Sequence, residues 1–335
     1  MIFPFTAIVD QEEMKLGLIL NVIDPTIGGV LIMGEKGTAK STAVRALADL
    51  LPHLDSIKGC PFGCAPEGPF CNYCAEKVKD GQSIEIEKKK MKVVELPLGV
   101  TEDRLVGTLD VEQAIKTGEK RFEPGILAEA NRNFLYVDEV NLLEDHIVDL
   151  LLDSAAMGVN IVEREGISFS HPARFILVGT MNPEEGELRP QLLDRFGLCV
   201  VVNALREKHL RVEILKRKKS FDDDPHGFLS QWEKEQEALR QKISKAKNIL
   251  GSVRVTEEAY NTVVEITSSL SLDGHRGDIV MLKASRALSA FEGKDEVTKE
   301  HIKKVAPFAL RHRLKRLPFE DPVNVDSLLT ILDKI

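Results

Sequence analysis

One stretch near the amino terminus restricts the possible folds of this chain more than any other. An apolar run at residues 30–33 ends at Gly34, a loop of small and polar residues follows, and residues 43–51 have the apolar spacing of a helix. In a loop of this kind, backbone N–H groups and the positive end of the helix dipole attract a polyphosphate. The order of strand, loop and helix therefore predicts a nucleotide-binding domain. The alternative is a chance glycine-rich turn before an ordinary helix.

The loop contains the side chains that a nucleotide site requires. Its residues are Gly34, Glu35, Lys36, Gly37, Thr38, Ala39, Lys40, Ser41 and Thr42. We expect Lys40 to reach the β- and γ-phosphates and the Ser41 hydroxyl to coordinate Mg²⁺. Ala39 stands where the G-x-x-x-x-G-K-[ST] motif has its last glycine. An alanine costs little there at negative φ, but roughly 1–2 kcal/mol in the left-handed region.

Two acidic residues follow a second apolar run, at residues 134–137. Four apolar residues predict a buried parallel strand, and open α/β sheets bind ligands at the carboxyl ends of their strands. We expect Asp138 to hold Mg²⁺ through water and Glu139 to orient or deprotonate the attacking water. Asn182 follows another predicted strand, at 174–179, and is expected to hold this water near the γ-phosphate. An Asn-Pro turn is the alternative at Asn182, and it is compatible with that role.

Four of the five cysteines fall within one short segment that is rich in proline and glycine. They are Cys60, Cys64, Cys71 and Cys74, with the spacing C-x3-C-x6-C-x2-C. Cytosolic thiols seldom form stable disulfides, so this spacing favours Zn²⁺ or an iron–sulfur cluster. The alternative is a set of reduced surface thiols in a loop insertion. Cys199 lies in the apolar run 198–202 and is expected to be a core residue.

Composition limits the class of protein. A chain of 335 residues suggests about two domains, and 43% hydrophobic with 29% charged residues is typical of a soluble globular protein. The chain has neither a basic, apolar leader at its start nor a run near the ~20 apolar residues of a membrane span, so we expect a cytoplasmic protein. The formal charge of -8 disfavours a general nucleic-acid binder. We interpret the basic run at 311–316 as a solvated helix face.

Strands and helices alternate through residues 1–204, which predicts a parallel sheet with helices on both faces. A short helix near 111–116 and a β-hairpin at 160–169 around Glu165-Gly166 are also predicted. From residue 206 onward the pattern is only helical, with helices at 205–218, 228–250, 256–269, 276–291 and 298–314. Residues 205–335 are therefore expected to form a second, all-helical domain.

Longer strings of this sequence resemble the AAA+ ATPases and, among these, the family of the magnesium chelatase ATPase subunit I. The strings lie at residues 3–9, 96–104, 136–143, 162–166, 171–175, 182–197 and 274–279. The resemblance implies a P-loop NTPase whose αβα sandwich spans 1–204 and whose helical lid spans 205–335. Insertions at about 99–125 and 160–169 match those of this branch, whereas a cysteine-rich insert at about 58–76 is an addition.

The resemblance assigns roles in ATP binding or hydrolysis to seven residues. They are Lys40 and Ser41 of the Walker A motif, Asp138 and Glu139 of the Walker B motif, Asn182 as the first sensor, Arg195 as the arginine finger and Arg276 as the second sensor. The finger acts on the γ-phosphate held by a neighbouring subunit, where such a residue contributes roughly 10³–10⁵ in rate. Asp10 departs from the family, which usually has glycine beside the nucleotide base.

The resemblance also implies cofactors and partners. ATP and Mg²⁺ are the expected cofactors, and the expected assembly is a homo-oligomeric ring, hexameric in such proteins. With a second AAA+-like subunit, the ring drives a large tetrapyrrole-binding subunit to insert Mg²⁺ into protoporphyrin IX. Neither nucleic acid nor membrane is an expected partner. Because the cysteine insert is not associated with photosynthetic members, two alternatives stay open: a cobalt or nickel chelatase for corrinoid-type tetrapyrroles, and a MoxR-like ATPase that matures other metalloenzymes.

Overall fold

The fold is described from a computed structural model. The structure describes residues 1–110, 121–164, 167–186, 188–270, 272, 274–314 and 326–334. The chain divides into two compact units, Met1–Leu50 with Gly179–Ile335, and Leu51–Val178. The predicted boundary between residues 204 and 205 lies inside the first unit and stays a prediction. None of the described helices is long and apolar enough to cross a membrane.

The elements change from mixed to helical along the chain. The described strands are β1 (Val30–Gly34), β2 (Leu54–Ile57), β3 (Ile86–Lys89), β4 (Val93–Glu95), β5 (Gly107–Asp110), β6 (Arg121–Pro124), β7 (Phe134–Val137), β8 (Val159–Arg164), β9 (Ile167–Pro172), β10 (Ile176–Met181) and β11 (Leu198–Val202). The described α-helices are α1 (Glu12–Ile23), α2 (Lys40–Leu50), α3 (Asn72–Lys79), α4 (Glu102–Val106), α5 (Ile126–Ala130), α6 (Asp145–Met157), α7 (Pro190–Leu193), α8 (Lys208–Asp223), α9 (Pro225–Ile249), α10 (Glu257–Ser269), α11 (Arg276–Phe291), α12 (Lys299–Leu310) and α13 (Asp326–Leu332).

Five strands form the main sheet, in the order β11-β1-β10-β7-β4. Strand β1 runs parallel to β11, from Val30 opposite Leu198 to Gly34 opposite Val202, and β4 runs parallel to β7. Every residue of β1, β7 and β10 is buried, as is typical of parallel strands. The parallel sheet expected from the sequence is confirmed.

Three short antiparallel pairs stand outside this sheet: β2–β3, β5–β6 and β8–β9. The β8–β9 pair confirms the predicted hairpin and is longer than expected, because pairing continues from Val159 opposite Pro172. Its turn, Glu165-Gly166, lies outside the described residues, as does the helix predicted near 111–116. The β5 and β6 strands on either side of that segment were not predicted.

Several helix boundaries differ from the predicted ones for local reasons. Helix α2 begins at Lys40, three residues early, because the loop closes directly into the helix. Apolar spacing at residues 141–155 predicts one helix, but helix α6 begins at Asp145, because a 3₁₀ turn at Val140–Leu142 comes first. The break before α9 is at Asp224, whose side chain accepts a hydrogen bond from the Gly227 N–H and caps the helix.

The interpretation of the basic run as a solvated face is wrong for its first three residues. Arg311 and His312 are buried, and the Arg313 side chain is only 4% exposed. They form a 3₁₀ turn after α12 and find internal partners: Arg311 donates to the Glu13 carboxylate, and Arg313 to main-chain carbonyls. Lys315 and Arg316 lie outside the described residues.

The backbone of the phosphate loop is specialised at three positions. Gly34 has φ +153°, and a Cβ there would lie 2.0 Å from the Val202 carbonyl oxygen, so only glycine fits. Gly37 has φ +82° with open space around it. Ala39 has φ +64°, so this alanine adopts the left-handed conformation at a cost of roughly 1–2 kcal/mol. Asp10, where the resemblance noted above implies glycine, is also left-handed, with φ +53°.

We predict that Gly34→Ala lowers the free energy of unfolding by about 3 kcal/mol or more, because strain and a backbone clash add together. Gly37→Ala is the matched control in the same loop, with no atom within 4 Å of an added Cβ. It should cost only the left-handed penalty of roughly 1–2 kcal/mol. Denaturant unfolding measures both values, and equal losses would contradict the close approach to Val202.

Candidate functional site

The side chain of Lys40 folds back onto the backbone of the phosphate loop. The Lys40 ammonium donates to the carbonyl oxygens of Gly34 at 2.5 Å and Glu35 at 3.1 Å. The Thr38 hydroxyl donates to the Glu35 carbonyl at 2.8 Å, which closes the loop. Lys40 is also the first residue of α2, so its charge lies at the positive end of a helix dipole. This arrangement of cation, helix amino terminus and glycine backbone fits a polyphosphate.

An ion pair connects this loop to the segment after β10. The Lys36 ammonium lies 2.8 Å from the Glu185 carboxylate. Glu185 ends a short 3₁₀ turn that is capped by Asn182, whose side-chain oxygen accepts the Glu184 N–H at 3.3 Å. The Asn-Pro turn considered from the sequence is therefore present. Because the oxygen of the Asn182 amide serves the cap, its –NH₂ group is the part that suits a contact with water.

The acidic pair stands where β7 ends. Asp138 is exposed, and the hydroxyl of the buried Tyr136 donates to its Oδ1 at 3.1 Å, which orients the carboxylate. Glu139 has φ +52°, a left-handed conformation that is costly for a residue with a side chain. Strain of this kind is concentrated at functional sites. The turn also ends the strand and explains why the next helix begins late.

Asp194 binds two arginines of the helical region. Its carboxylate lies 3.1 Å from Arg276 Nη1 and 3.0 Å from Arg313 Nε. Arg313 Nη2 donates to the carbonyls of Asp194 and Phe196, both at 2.8 Å. The residues on both sides of Arg195 are therefore held by one guanidinium. Burial lowers the pKa of Arg313 to about 10, an effect that Asp194 opposes, so Arg313 stays charged at neutral pH.

Arg313 is the residue of this hydrogen-bond network that sequence reasoning missed. It lies in the basic run, and its partners Asp194 and Phe196 are more than a hundred positions earlier in the chain. The only signal in the sequence was the run of basic residues, which solvated helix ends also show.

The four clustered cysteines meet in one buried group. Their Sγ atoms all lie within 4.8 Å of one another, and each residue is at most 5% exposed. The alternative of surface thiols is therefore wrong. The Cys71 N–H donates to the Cys64 Sγ at 3.2 Å. Hydrogen bonds with neighbouring thiols lower the pKa of Cys60, and the one with Cys64 has the largest effect. Burial raises the pKa of Cys74. Cys199 is buried in β11, as predicted for a core residue.

Comparison with known proteins places this chain in a family. The family model described as "Magnesium chelatase, subunit ChlI" matches residues 108–191, and the AAA lid domain model matches 260–331. The magnesium-chelatase subunit ChlI homolog of Methanocaldococcus jannaschii is 57% identical over 99% of this chain and 91% of that protein. Magnesium-chelatase subunit ChlI of Synechocystis sp. is 56% identical over 97% of this chain and 91% of its own length. The chain belongs to the magnesium chelatase subunit I family.

Membership in the subunit I family makes the chain an AAA+ ATPase that uses ATP and Mg²⁺. The chloroplastic subunit ChlI of Chlamydomonas reinhardtii is 53% identical over 100% of this chain and 81% of that protein. The names of these relatives favour neither a cobalt or nickel chelatase nor a MoxR-like maturation ATPase.

Solved structures confirm the fold of this subunit I family member. One is the complex between subunits BchI and BchD of magnesium chelatase, based on a single-particle cryo-EM reconstruction. It is 48% identical, covers 99% of both chains and has a TM-score of 0.56. A putative ATPase from Cytophaga hutchinsonii is 19% identical, with 99% of this chain and 92% of its own covered and a TM-score of 0.65, which shows the fold alone. The predicted α/β AAA+ fold with a carboxyl-terminal helical lid is confirmed.

We predict that Arg313→Lys lowers the free energy of unfolding by about 2 kcal/mol or more, because lysine cannot reproduce the forked donors that serve Asp194 and the neighbouring carbonyls. The control is Arg254→Lys, since Arg254 is 69% exposed and pairs with Asp295 and Glu296 at the surface. This control should change stability little. Thermal and denaturant unfolding give both values, and an unaffected Arg313→Lys protein would contradict the role of Arg313 as a clamp.

Proposed function

We propose that this chain is the ATP-hydrolysing motor of a magnesium chelatase, which drives Mg²⁺ insertion into protoporphyrin IX by a large tetrapyrrole-binding subunit. The observation that carries this proposal is the 56% identity to the Synechocystis subunit ChlI over 97% of this chain. A match of this extent runs through both the strand-containing and the helical parts of the chain. The chain itself binds nucleotide and no porphyrin in this proposal.

We propose the following roles in the nucleotide site. The loop of residues 34–42 wraps the phosphates, and Lys40 turns from the Gly34 and Glu35 carbonyls to the β- and γ-phosphates. The position of Lys40 supports this, because it begins α2 and lies beside the loop carbonyls of Gly34 and Glu35. The Ser41 hydroxyl and, through water, Asp138 hold the Mg²⁺ that neutralises phosphate charge. The Tyr136 hydroxyl keeps the Asp138 carboxylate oriented for this purpose.

We propose that hydrolysis uses Glu139 and Asn182. Glu139 orients or deprotonates the attacking water, and its left-handed backbone supports a role that a relaxed residue would not need. The Asn182 amide donates to the same water, while its oxygen stays on the Glu184 N–H. Arg276 acts as the second sensor of the γ-phosphate; its ion pair with Asp194 leaves it half-exposed and able to exchange partners.

We propose that the chain works in a ring of identical subunits, hexameric, in which Arg195 of each subunit reaches the γ-phosphate bound by its neighbour. The clamp of Arg313 on the carbonyls of Asp194 and Phe196 supports this role, since a finger must be presented from a fixed backbone. A second AAA+-like subunit is the proposed partner of the ring, and the complex between BchI and BchD supports such a pairing.

We also propose that the four clustered cysteines bind a metal, as Zn²⁺ or as an iron–sulfur centre. The support is the burial of all four thiols and the closeness of their Sγ atoms. This centre is separate in the sequence from the ATP-binding motifs and belongs to the cysteine-rich insert.

We predict that Lys40→Ala abolishes nucleotide binding, because the phosphates lose their main cation. Glu139→Gln should leave binding intact and stop hydrolysis, because the side chain keeps its shape but loses its base. Fluorescent-nucleotide titration measures the first property and phosphate release the second. Wild-type turnover by Glu139→Gln would show that another group acts as the base.

We predict that Arg195→Ala poisons mixed rings, because each finger serves a neighbour. When the variant is mixed with wild type, ATPase activity should fall below the value expected from dilution. Arg254→Ala is the control, since Arg254 is a surface arginine of the helical region; its mixtures should follow simple dilution. Simple dilution by Arg195→Ala as well would contradict a finger that acts between subunits.

A further inference from the structure

The cysteine-rich insert has little regular secondary structure. Residues 60–74 include five glycines and prolines, and their regular structure is limited to the start of α3. The buried cluster around them consists largely of the four cysteines, with Ile57, Phe62 and Ala128. Small structures with so little core are commonly stabilised by disulfides or by a structural metal.

The sulfur positions match a single tetrahedral ion. A zinc ion with four Zn–S bonds of about 2.3 Å has sulfur atoms about 3.8 Å apart. The Sγ atoms of Cys60 and Cys71 are 3.8 Å apart, and all four lie within 4.8 Å. An iron–sulfur cluster would spread the four thiolates over at least two iron atoms, so that some pairs lie further apart than the ligands of one ion. The four thiols therefore enclose the space of one metal ion.

The surroundings favour zinc among single ions. Four sulfur ligands close the coordination shell, as in structural zinc sites, and zinc binds such a set more tightly than ferrous iron does. Cys71 is the N-cap of α3 and Cys74 lies in its first turn, so the helix dipole stabilises two thiolates. The Cys71 N–H also donates to Cys64 Sγ, which stabilises a third.

One aromatic side chain links this centre to two pairs of strands. Phe62 lies between Cys60 and Cys64, and its carbonyl accepts a hydrogen bond from the Asn131 amide at 2.8 Å. Its ring centroid is 6.2 Å from that of Phe122 in β6 and 5.6 Å from that of Phe169 in β9. The rings of Phe122 and Phe169 stack on each other at 4.1 Å. The Phe62 ring therefore contacts one aromatic ring of each strand pair. Its position depends on the conformation of the loop between Cys60 and Cys64.

We propose that Cys60, Cys64, Cys71 and Cys74 bind one Zn²⁺. This ion holds the Phe62 ring against Phe122 of β6 and Phe169 of β9, and so keeps the β5–β6 and β8–β9 pairs together. The inference rests on the proposal above that the cysteines bind a metal, and it adds the identity of the ion and its mechanical purpose. It is independent of the ATPase assignments.

The first test is the metal itself. The full chain, expressed with zinc and iron both supplied and purified without chelator, should contain one zinc per chain and no iron. Replacement by Co²⁺ should give the intense visible absorption of a tetrahedral thiolate site. Iron, in a cluster or as a single ion, would overturn the zinc assignment while leaving the broader metal proposal intact. Absence of bound metal, with no cobalt spectrum, would overturn both.

Two variants localise the metal. Cys71→Ser should lose the zinc, whereas Cys199→Ala, which removes the fifth cysteine from β11, should keep one zinc per chain. If Cys71→Ser does not fold, wild-type protein stripped by a strong chelator provides the metal-free form, and the cobalt spectrum of the wild type still decides the ligand set. Loss of zinc from Cys199→Ala alone would overturn the assignment.

Hydrogen exchange tests the mechanical purpose. Removal of zinc should speed amide exchange in β5–β6 and β8–β9 by roughly tenfold or more while leaving α10–α12 unchanged. Phe62→Ala should keep its zinc and still speed exchange in the same two pairs, because the link is lost and the ion is not. Unchanged exchange in both pairs after zinc removal would overturn the link between the ion and the strands.

Discussion

The close approach of Gly34 to the carbonyl oxygen of Val202 is the constraint from which the nucleotide site follows. Strand β1 is buried along its whole length and pairs with β11 up to this point. The strand ends at Gly34, where no side chain fits, and the chain turns into a loop that closes on Lys40. The left-handed Ala39 completes the turn at a cost of roughly 1–2 kcal/mol. We propose that this strained turn is retained because it shapes the loop for phosphate binding.

A second constraint is the carboxylate of Asp194, which two arginines of the helical lid share. Arg313 is almost entirely buried and also holds the backbone on both sides of Arg195, whereas Arg276 is half-exposed. The two arginines differ in how easily they can break their ion pair with Asp194. Arg276 is solvated when it moves away, whereas movement of Arg313 would leave a buried charge without a partner. The proposed finger is thus fixed by one lid residue and adjoins another that can respond to nucleotide.

Sequence patterns predicted the elements whose signal is local. Apolar runs found β1, β7, β10 and β11, and cysteine spacing found a group that the structure brings together. What failed depends on distant partners or on single backbone angles. From the sequence, Arg313 is indistinguishable from a solvated cation, because its partner Asp194 lies far away in the chain. Helix α6 starts late because Glu139 is left-handed, which no residue pattern shows. The link from Phe62 to Phe122 depends on β6, whose pairing with β5 had not been predicted.

The most direct test of the central claim is Mg²⁺ insertion by the complex that this chain forms. The tagged chain would be purified anaerobically from its own host, with its partners, and supplied with MgATP and protoporphyrin IX while magnesium-porphyrin fluorescence is recorded. The account predicts a large co-purifying tetrapyrrole-binding subunit and ATP-dependent formation of the magnesium porphyrin, absent when the tagged chain is Glu139→Gln. Recovery of an unrelated metalloenzyme, with no porphyrin product, would contradict the chelatase assignment.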